Sequence, residues 1–188
     1  MVKIALVDEF IAAAEASGAE VFRLRGPGDA LDYVSRLLQE RGQASVLIAA
    51  DVFEHFPGAA RLCSLRPNTK EDWLTTEVGL VRADFGVAET GTLIHLDRTE
   101  EERRIWTLPP FCICLLSAES IVQGLDELAP VVAGHLGRHD LQSPDVSLVT
   151  GPSRTADIEG QLVCGVHGPK RMIVLLMETE LSKNDENH

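Results

Sequence analysis

The strongest constraint on the fold is a strand, helix, strand pattern in the first fifty residues. Residues 19–25 and 45–50 are short apolar runs rich in β-formers. The segment between them, residues 28–42, carries apolar side chains at helical spacing: Leu31, Val34, Leu37 and Leu38. Such a βαβ unit requires a parallel sheet with helices packed on its faces. The sequence therefore predicts an α/β protein, in three α/β/α layers around a mostly parallel sheet.

The rest of the chain extends this pattern less regularly. Strands are predicted at residues 59–65, 85–88, 92–96, 105–108, 111–116, 121–122, 146–150 and 172–177, and helices at 72–80, 125–136 and 155–164. Two of these strands flank a compact turn and predict a hairpin, and the last strand, helix, strand series predicts a second βαβ unit. The charged stretch 97–104 is expected to be an exposed loop. We expect one domain over residues 1–181 and a disordered polar tail over 182–188.

Net charge narrows the range of partners. The 188 residues include 29 acidic and 17 basic side chains, for a net charge of -12. This charge repels nucleic-acid backbones and anionic bilayers. The chain opens with no basic and apolar leader, and its longest apolar run, residues 109–116, is too short to cross a bilayer. We therefore expect a cytoplasmic protein that neither binds nucleic acid nor inserts into a membrane.

The cysteines and one pair of histidines are expected to be structural. The four cysteines are Cys63, Cys112, Cys114 and Cys164. They include no C-x-x-C pair, which argues against a zinc ribbon or an iron–sulfur cluster bound by this chain alone. Cys112 and Cys114 lie in an apolar run and are predicted to be core residues. His135 and His139 are four residues apart, but Gly137 lies between them, so we expect surface positions and no metal.

The first candidate binding site is the turn at residues 151–155, between a predicted strand and a predicted helix. Gly151 can adopt backbone angles closed to other residues, Ser153 or Thr155 can cap the helix, and Arg154 adds a positive charge beside backbone N–H groups. These four residues would bind a carboxylate or phosphate at the edge of a parallel sheet where ligands usually bind. The alternative is that the hydroxyl is a cap and nothing more.

The second candidate is Glu89, a carboxylate in a small-residue turn between two apolar strands. A desolvated carboxylate at the end of a strand can act as a nucleophile or general base, so Glu89 is the candidate catalytic residue. Its neighbours Thr90, Gly91 and Thr92 are candidate ligand contacts. The alternative is that Glu89 accepts hydrogen bonds from nearby backbone N–H groups and stabilises the turn.

The third candidate is His167, which lies between Gly165 and Gly168 in the turn 165–169. A histidine there can contact a ligand and titrate near neutral pH. Simple turn packing is the alternative, and a helix-to-strand turn would lie at the edge of a parallel sheet opposite to the usual ligand edge.

Four segments together resemble one known family. They read ADFGVAETGTL at residues 83–93, LPP at 108–110, GPSRTADIE at 151–159 and GVHGP at 165–169. In this order they resemble the LUD-domain family of lactate-utilisation proteins, over about residues 18–178.

The resemblance implies a fold similar to that of ribose phosphate isomerase and the CoA transferases, and a role in the oxidation of L-lactate to pyruvate. It also implies that the redox clusters belong to partner iron–sulfur proteins. We therefore expect this chain to bind a small anionic metabolite in its candidate turns and to bind no cofactor of its own. Glu89 resembles the nucleophilic glutamate of CoA transferases by fold analogy. A stand-alone isomerase or CoA transferase that uses Glu89 is therefore the alternative, and a scaffolding protein without a ligand is a third hypothesis.

Overall fold

A computed structural model describes residues 2–42, 45–65, 73, 75–97, 99–140, 144–156, 162–165 and 167–178. Five α-helices lie in these residues: α1 (Val2–Ala16), α2 (Pro27–Glu40), α3 (Ala50–His55), α4 (Glu100–Thr107) and α5 (Ala129–Leu136). Their strands are β1 (Glu20–Leu24), β2 (Val46–Ile48), β3 (Val78–Arg82), β4 (Phe85–Val87), β5 (Thr92–Asp97), β6 (Phe111–Ser117), β7 (Ile121–Val122), β8 (Asp145–Val149), β9 (Arg154–Ala156), β10 (Leu162–Cys164) and β11 (Arg171–Met177). No helix in these residues is long and apolar enough to span a bilayer.

A five-stranded parallel sheet, in the order β1-β11-β6-β3-β2, forms the centre of the fold. The predicted α/β class is confirmed, and so are the first strand, helix and strand. The strands β1 and β2 lie at opposite edges of the sheet, because three later strands are inserted between them. Cys112 and Cys114 are fully buried in β6, as predicted for core residues; the side chains of Cys63 and Cys164 lie outside the described part of the chain.

A second, four-stranded sheet in the order β7-β4-β5-β8 packs on the first. The predicted hairpin is its centre, since β4 and β5 pair antiparallel. A Cβ atom on Gly86 of β4 would lie 3.0 Å from both Leu116 of β6 and Phe10 of α1, so β4 lies directly against the parallel sheet and the first helix. The glycine thus permits the close approach of the two sheets.

The predicted second βαβ unit is wrong. Strand β8 pairs antiparallel with β5 in the second sheet. Residues 155–156 and 162–164, predicted to be helical, belong instead to the antiparallel pair β9 and β10; residues 157–161 lie outside the described part. Thr155, Val163 and Cys164 have low helix propensity, and tertiary pairing decides such a segment.

The predicted strand at residues 59–65 is also wrong, because Pro57–Leu65 is a 3-10 helix. Proline is favoured in the first turn of a helix. The buried residues Ala59 and Leu62 are three apart, which matches the three-residue repeat of this helix rather than the two-residue repeat of a strand. The helix predicted at 72–80 is wrong for residues 78–80, which begin β3.

The predicted exposed loop at 97–104 and the predicted strand at 105–108 are wrong over residues 100–107, which form helix α4, and Asp97 ends β5. Its start is fixed by a capping box: the Thr99 hydroxyl accepts a hydrogen bond from the Glu102 N–H, and the Glu102 carboxylate accepts one from the Thr99 N–H, both at 3.2 Å. Ile105 and Trp106 then lie on its buried face. Charge in this segment marks a capped helix rather than a loop.

The segment 125–136 begins as a 3-10 turn, Leu125–Leu128, and continues as α5, with Pro130 in the first turn where a proline is tolerated. His139 is exposed, as expected. His135 is not: it is 7% exposed, and its Nε2 lies 2.9 Å from the Asp97 carbonyl oxygen. The surface prediction for His135 is therefore wrong. The predicted tail 182–188 lies outside the described residues.

Candidate functional site

The glycine turns singled out in the sequence meet at the end of α1. A Cβ atom on Gly91 would lie 2.2 Å from the Ala14 backbone nitrogen, and one on Gly151 would lie 2.4 Å from the Ser17 carbonyl oxygen. Both glycines have positive φ, 64° and 70°. Each turn can therefore approach the helix end this closely only with glycine at that position.

Hydroxyl groups join the same two turns directly. Thr92 Oγ1 lies 2.7 Å from Thr90 Oγ1 and 2.7 Å from Thr150 Oγ1, which makes a chain of three hydroxyls across the turns. Thr92 is buried, whereas Thr90 and Thr150 are exposed. The candidate residue Thr92 is thus joined to Thr150, 58 positions later, which directly precedes the candidate Gly151.

The turn that carries His167 lies against the same surface. The Ser153 N–H donates to the Pro169 carbonyl at 2.9 Å, and a Cβ atom on Gly168 would lie 3.0 Å from Ser153 Cβ. His167 itself is exposed. Arg154 is exposed too, and its Nη2 donates to the Ser17 carbonyl at 2.6 Å. We name residues 89–92, 150–154 and 167–169 the turn junction.

The turn junction lies at the amino ends of the parallel strands β1 and β11, because Ser17 precedes β1 and Pro169 precedes β11. The expectation that residues 151–155 lie at the carboxyl edge of the parallel sheet is therefore wrong, since β8 belongs to the other sheet. Thr155 begins no helix and lies in β9. Glu89 and Arg154 contact different parts of the chain. Glu89 is exposed, and its Oε2 is 3.2 Å from where a Cβ of Gly124 would lie, whereas the Arg154 guanidinium donates to the Ser17 carbonyl.

A second polar group lies at the opposite end of the sheet and was missed by the sequence-based reasoning. Asp51 follows β2, and Arg82 and Asp84 lie at the end of β3, so these residues come from the carboxyl ends of neighbouring parallel strands. The second sheet adds His95 and Asp97, which share one face of β5. Helix α4 adds Glu102. We name these six residues the carboxyl-edge cluster.

Arg82 connects the carboxylates on one side of this cluster. Its Nε lies 3.2 Å from Asp51 Oδ2, and its Nη2 donates to Asp84 Oδ1. Asp84 Oδ2 also accepts the Leu96 N–H at 2.8 Å, which fixes the start of the second sheet against the end of β3. The Asp51 side chain is 0% exposed and that of Arg82 is 14% exposed. This ion pair is therefore largely removed from water.

The His95 ring lies among four carboxylates. Its Nδ1 is 3.2 Å from Asp84 Oδ2 and 3.9 Å from Asp51 Oδ2. Its Nε2 is 3.7 Å from Asp97 Oδ1 and 4.0 Å from Glu102 Oε2. Only the contact between Nδ1 and Asp84 Oδ2 is within hydrogen-bond distance, and its alignment is poor, so neither ring nitrogen makes a well-aligned hydrogen bond. The Trp106 ring packs beside the imidazole at 5.7 Å.

The protonation equilibria of the cluster are displaced by burial and by mutual charge. Burial raises the pKa of Asp51 and of Asp97, and His95 opposes both shifts. Burial alone would raise the pKa of Asp84, but His95 and Arg82 outweigh it and hold that pKa below its usual range. Burial alone would lower the pKa of His95, but Asp84 and Asp51 outweigh it and raise that pKa. Among the described residues, Asp51, His95 and Glu102 present atoms close enough to hold a metal ion.

Two sequence signals could have indicated this cluster. Charged residues directly after the buried strands β2 and β3 lie at the ligand-binding edge of a parallel sheet. The T-x-x-E pattern at Thr99 and Glu102 marks a helix start, which would have turned the supposed exposed loop into a buried helix.

Together, the parallel sheet and the second sheet on its face define an α/β protein, with polar groups at both ends of the parallel strands. The chain belongs to the LUD domain family, whose model matches residues 7–177. A crystal structure of a DUF162 family protein from Deinococcus radiodurans has the same fold: it matches with a TM-score of 0.65 and 20% identity, over 94% of this chain and 99% of that one.

Curated relatives agree with this assignment. Lactate utilization protein C from Geobacillus kaustophilus is 33% identical over 53% of this chain and 42% of its own length. The protein of that name from an Exiguobacterium species is 30% identical over 78% of this chain and 67% of its own length. The Escherichia coli protein YkgG, described as uncharacterized, is 26% identical over 82% of this chain and 72% of its own length. The chain thus spans less than half the length of the Geobacillus relative.

Proposed function

We propose that this protein takes part in lactate utilisation, where it binds a small carboxylate metabolite at the turn junction and works with iron–sulfur proteins. The proposal rests on membership of the LUD domain family and on the names of the relatives, lactate utilization protein C. The observation that carries the metabolite site is the junction itself. Independent caps and turns have no reason to meet at one surface, yet Thr92 and Thr150 are hydrogen-bonded there.

The chemistry of the junction fits an anion. Arg154 and His167 are exposed on neighbouring turns, and Ser153 lies between them in contact with Gly168. A guanidinium carries five N–H donors, so the bond from Arg154 to the Ser17 carbonyl positions the group without exhausting them. A carboxylate could then accept two parallel hydrogen bonds from the guanidinium, a geometry that a lysine does not provide.

The proposed iron–sulfur partners rest on the resemblance to the LUD-domain family, and the state of Cys112 and Cys114, the two cysteines whose side chains the structure describes, supports them. Cluster ligands must be thiolates, yet burial raises the pKa of Cys112 to about 12 and that of Cys114 well above its usual value. Both side chains are also fully inside β6. Oxidation of lactate needs an electron acceptor, so we assign that role to partner proteins that carry their own clusters.

A thermal-shift titration with lactate, pyruvate and phosphate tests the metabolite site. We expect one carboxylate to raise the melting temperature of the wild type, because a ligand selective for the native state stabilises it. Arg154→Ala should abolish that rise. The matched control is Arg138→Ala, which removes an exposed arginine outside the turn junction; its partner is Asp140. This variant should keep the ligand-induced rise in melting temperature. If no anion shifts the wild type, or if Arg154→Ala responds like the control, the site is wrong.

Affinity capture from cells grown on lactate tests the partners. We expect the tagged chain to recover proteins with iron–sulfur absorption, and to recover fewer from cells grown without lactate. Capture of no cluster-bearing protein, together with normal growth on lactate after deletion of the gene, would contradict the proposal.

A stand-alone enzyme that uses Glu89 remains the alternative prediction. It requires that Glu89→Gln abolish turnover or a covalent acyl adduct while the fold is preserved.

A further inference from the structure

Polar atoms without partners lie at the centre of the carboxyl-edge cluster. Asp51 Oδ1, Asp97 Oδ1 and both ring nitrogens of His95 have no hydrogen-bond partner. These side chains are 0%, 0% and 1% exposed. Buried polar groups almost always have a partner, because an unpaired one bears the full desolvation penalty. Four such atoms in one place offer donor and acceptor groups to a bound ligand.

The charge of the cluster indicates the sign of that ligand. Four carboxylates, Asp51, Asp84, Asp97 and Glu102, face two cationic groups, Arg82 and His95. Arg103, in the same helix as Glu102, pairs with Asp145 at 3.7 Å, and its charge also acts on Asp97. Carboxylates predominate among these side chains, which favours a cationic ligand. A divalent cation in place of the imidazole proton would add one positive charge to the cluster, since a metal-bound histidine is neutral.

The spacing of the donor atoms fits a single ion. One atom each from Asp51, His95 and Glu102 lie within 4.8 Å of one another. Metal bonds to carboxylate oxygen and imidazole nitrogen are about 2.0–2.2 Å, so donors on opposite sides of an ion are about 4 Å apart. His95 Nε2 and Glu102 Oε2 are 4.0 Å apart. Shifts of less than about an ångström would bring all three donors within bonding distance of one ion.

The surrounding contacts prepare these side chains as ligands. Arg82 pairs with Asp51 Oδ2 and thereby leaves Oδ1 directed elsewhere. The His95 ring presents Nδ1 to Asp51 and Asp84, and Nε2 to Asp97 and Glu102. Whichever nitrogen binds the ion, the other keeps a carboxylate neighbour. A carboxylate on the second nitrogen is the usual way in which proteins orient a metal-binding histidine.

We propose that the carboxyl-edge cluster binds one divalent first-row transition-metal ion through Asp51, His95 and Glu102. Mixed imidazole and carboxylate donors suit manganese, iron, cobalt or zinc, whereas calcium and magnesium prefer oxygen alone. The ion connects α3, β5 and α4, and so ties the second sheet to the parallel one. The site goes beyond the metabolite binding proposed above and does not depend on it. It also departs from the sequence-based expectation that the chain binds no metal.

Cobalt titration of the chelator-treated full chain tests the proposal. We expect calorimetry to find one Co²⁺ per chain, together with visible d–d absorption and a rise in the melting temperature. His95→Gln and Glu102→Gln should each weaken binding by more than about tenfold. The matched control is Glu100→Gln, an exposed carboxylate in the same helix, which should leave binding unchanged.

A measurement on the wild type alone covers the case in which a variant fails to fold. In the Co²⁺-loaded protein, proton NMR should show one hyperfine-shifted, exchangeable imidazole N–H, because the set contains one histidine. Absence of binding, absence of that signal, or equal binding by the His95, Glu102 and Glu100 variants would overturn the proposal. In those cases protons rather than a metal ion balance the cluster, or the ion binds to surface carboxylates.

Discussion

The two ends of the parallel sheet differ in how far their charged side chains are buried. At the amino ends of β1 and β11, the turn junction exposes Arg154 and His167 and buries mainly glycines and one threonine. At the carboxyl ends of β2 and β3, the carboxyl-edge cluster buries whole charged side chains, with Asp51 and Asp97 at 0% exposure. Charges at the first end are hydrated, whereas those at the second depend on one another.

This difference decides where a substitution is costly. An exposed ion pair contributes little, since water and salt screen it and two long side chains must be immobilised. A buried pair is different, because removing one partner leaves an uncompensated charge in a medium of low dielectric constant. We therefore expect the same chemical change to have unequal effects at the two ends of the sheet.

The largest effect is expected for Arg82→Met, which removes the cation between Asp51 and Asp84. Methionine keeps much of the side-chain volume but leaves Asp51, fully buried, without its guanidinium partner. We expect the free energy of unfolding to fall by about 3–5 kcal/mol. Urea denaturation with a chelator present would measure it, so that metal binding does not contribute.

The matched control is Arg138→Met, since Arg138 and its partner Asp140 are 52% and 63% exposed. We expect little change in the urea midpoint for this variant. Equal midpoints for the two variants would mean that water reaches Asp51, and the contrast between buried and exposed ion pairs would then be lost.

The parts of the fold that the sequence predicted are those encoded by local pattern. Helical spacing of Leu31, Val34 and Leu38 and the apolar run of β6 are visible within a few residues, and the structure contains both elements. Strand order is not local. Nothing near β1 indicates that β11, about 150 positions later, pairs with it.

The two polar regions differ in the same respect. The turn junction could be predicted in part, because glycines with positive φ and neighbouring hydroxyls form short motifs around Gly91 and Gly151. The carboxyl-edge cluster is harder to predict, because its members come from four separate elements. The charged residues after β2 and β3 and the T-x-x-E pattern are local signals, but neither indicates that these side chains meet. Asp97 illustrates this: its charge suggests exposure, yet it accepts a hydrogen bond from Ser147 inside the second sheet.

An intermediate effect is expected at the turn junction for Gly151→Ala. The residue has φ of 70°, and the new methyl group would lie 2.4 Å from the Ser17 carbonyl oxygen. We expect a loss of about 2–3 kcal/mol in the free energy of unfolding, from backbone strain plus the clash. Thermal unfolding would measure it. Gly42→Ala is the control, with φ of 73° but no atom within 4 Å, and it should show only the strain.

If both glycine variants lose the same free energy, the close contact between the turn and α1 is not essential to the junction. Its glycines would then reflect turn geometry alone, and the link between packing and the proposed binding site would weaken.

The smallest effect is expected for the exposed ion pair at the amino edge, between Glu20 of β1 and Arg171 of β11. The hydrogen bond from Arg171 lowers the pKa of Glu20 below its usual value of 4.5, although partial burial opposes the shift. A carboxyl group with a depressed folded-state pKa contributes stability above its unfolded pKa, and that contribution is lost as the pH falls through the folded value.

Glu20→Gln should therefore destabilise the protein by less than about 1 kcal/mol at pH 7. The difference from wild type should shrink as the pH falls below the usual value of 4.5, and it should vanish once the pH is below the lowered pKa of Glu20 in the folded protein. Urea midpoints of both proteins, measured at pH 7 and in acid below the folded-state pKa of Glu20, would check the sign of this pH dependence. A difference that persists or grows in acid would mean that Glu20 stabilises the protein through packing rather than through its charge. The contrast between hydrated charges at the amino edge and the buried charge of Arg82 would then not hold.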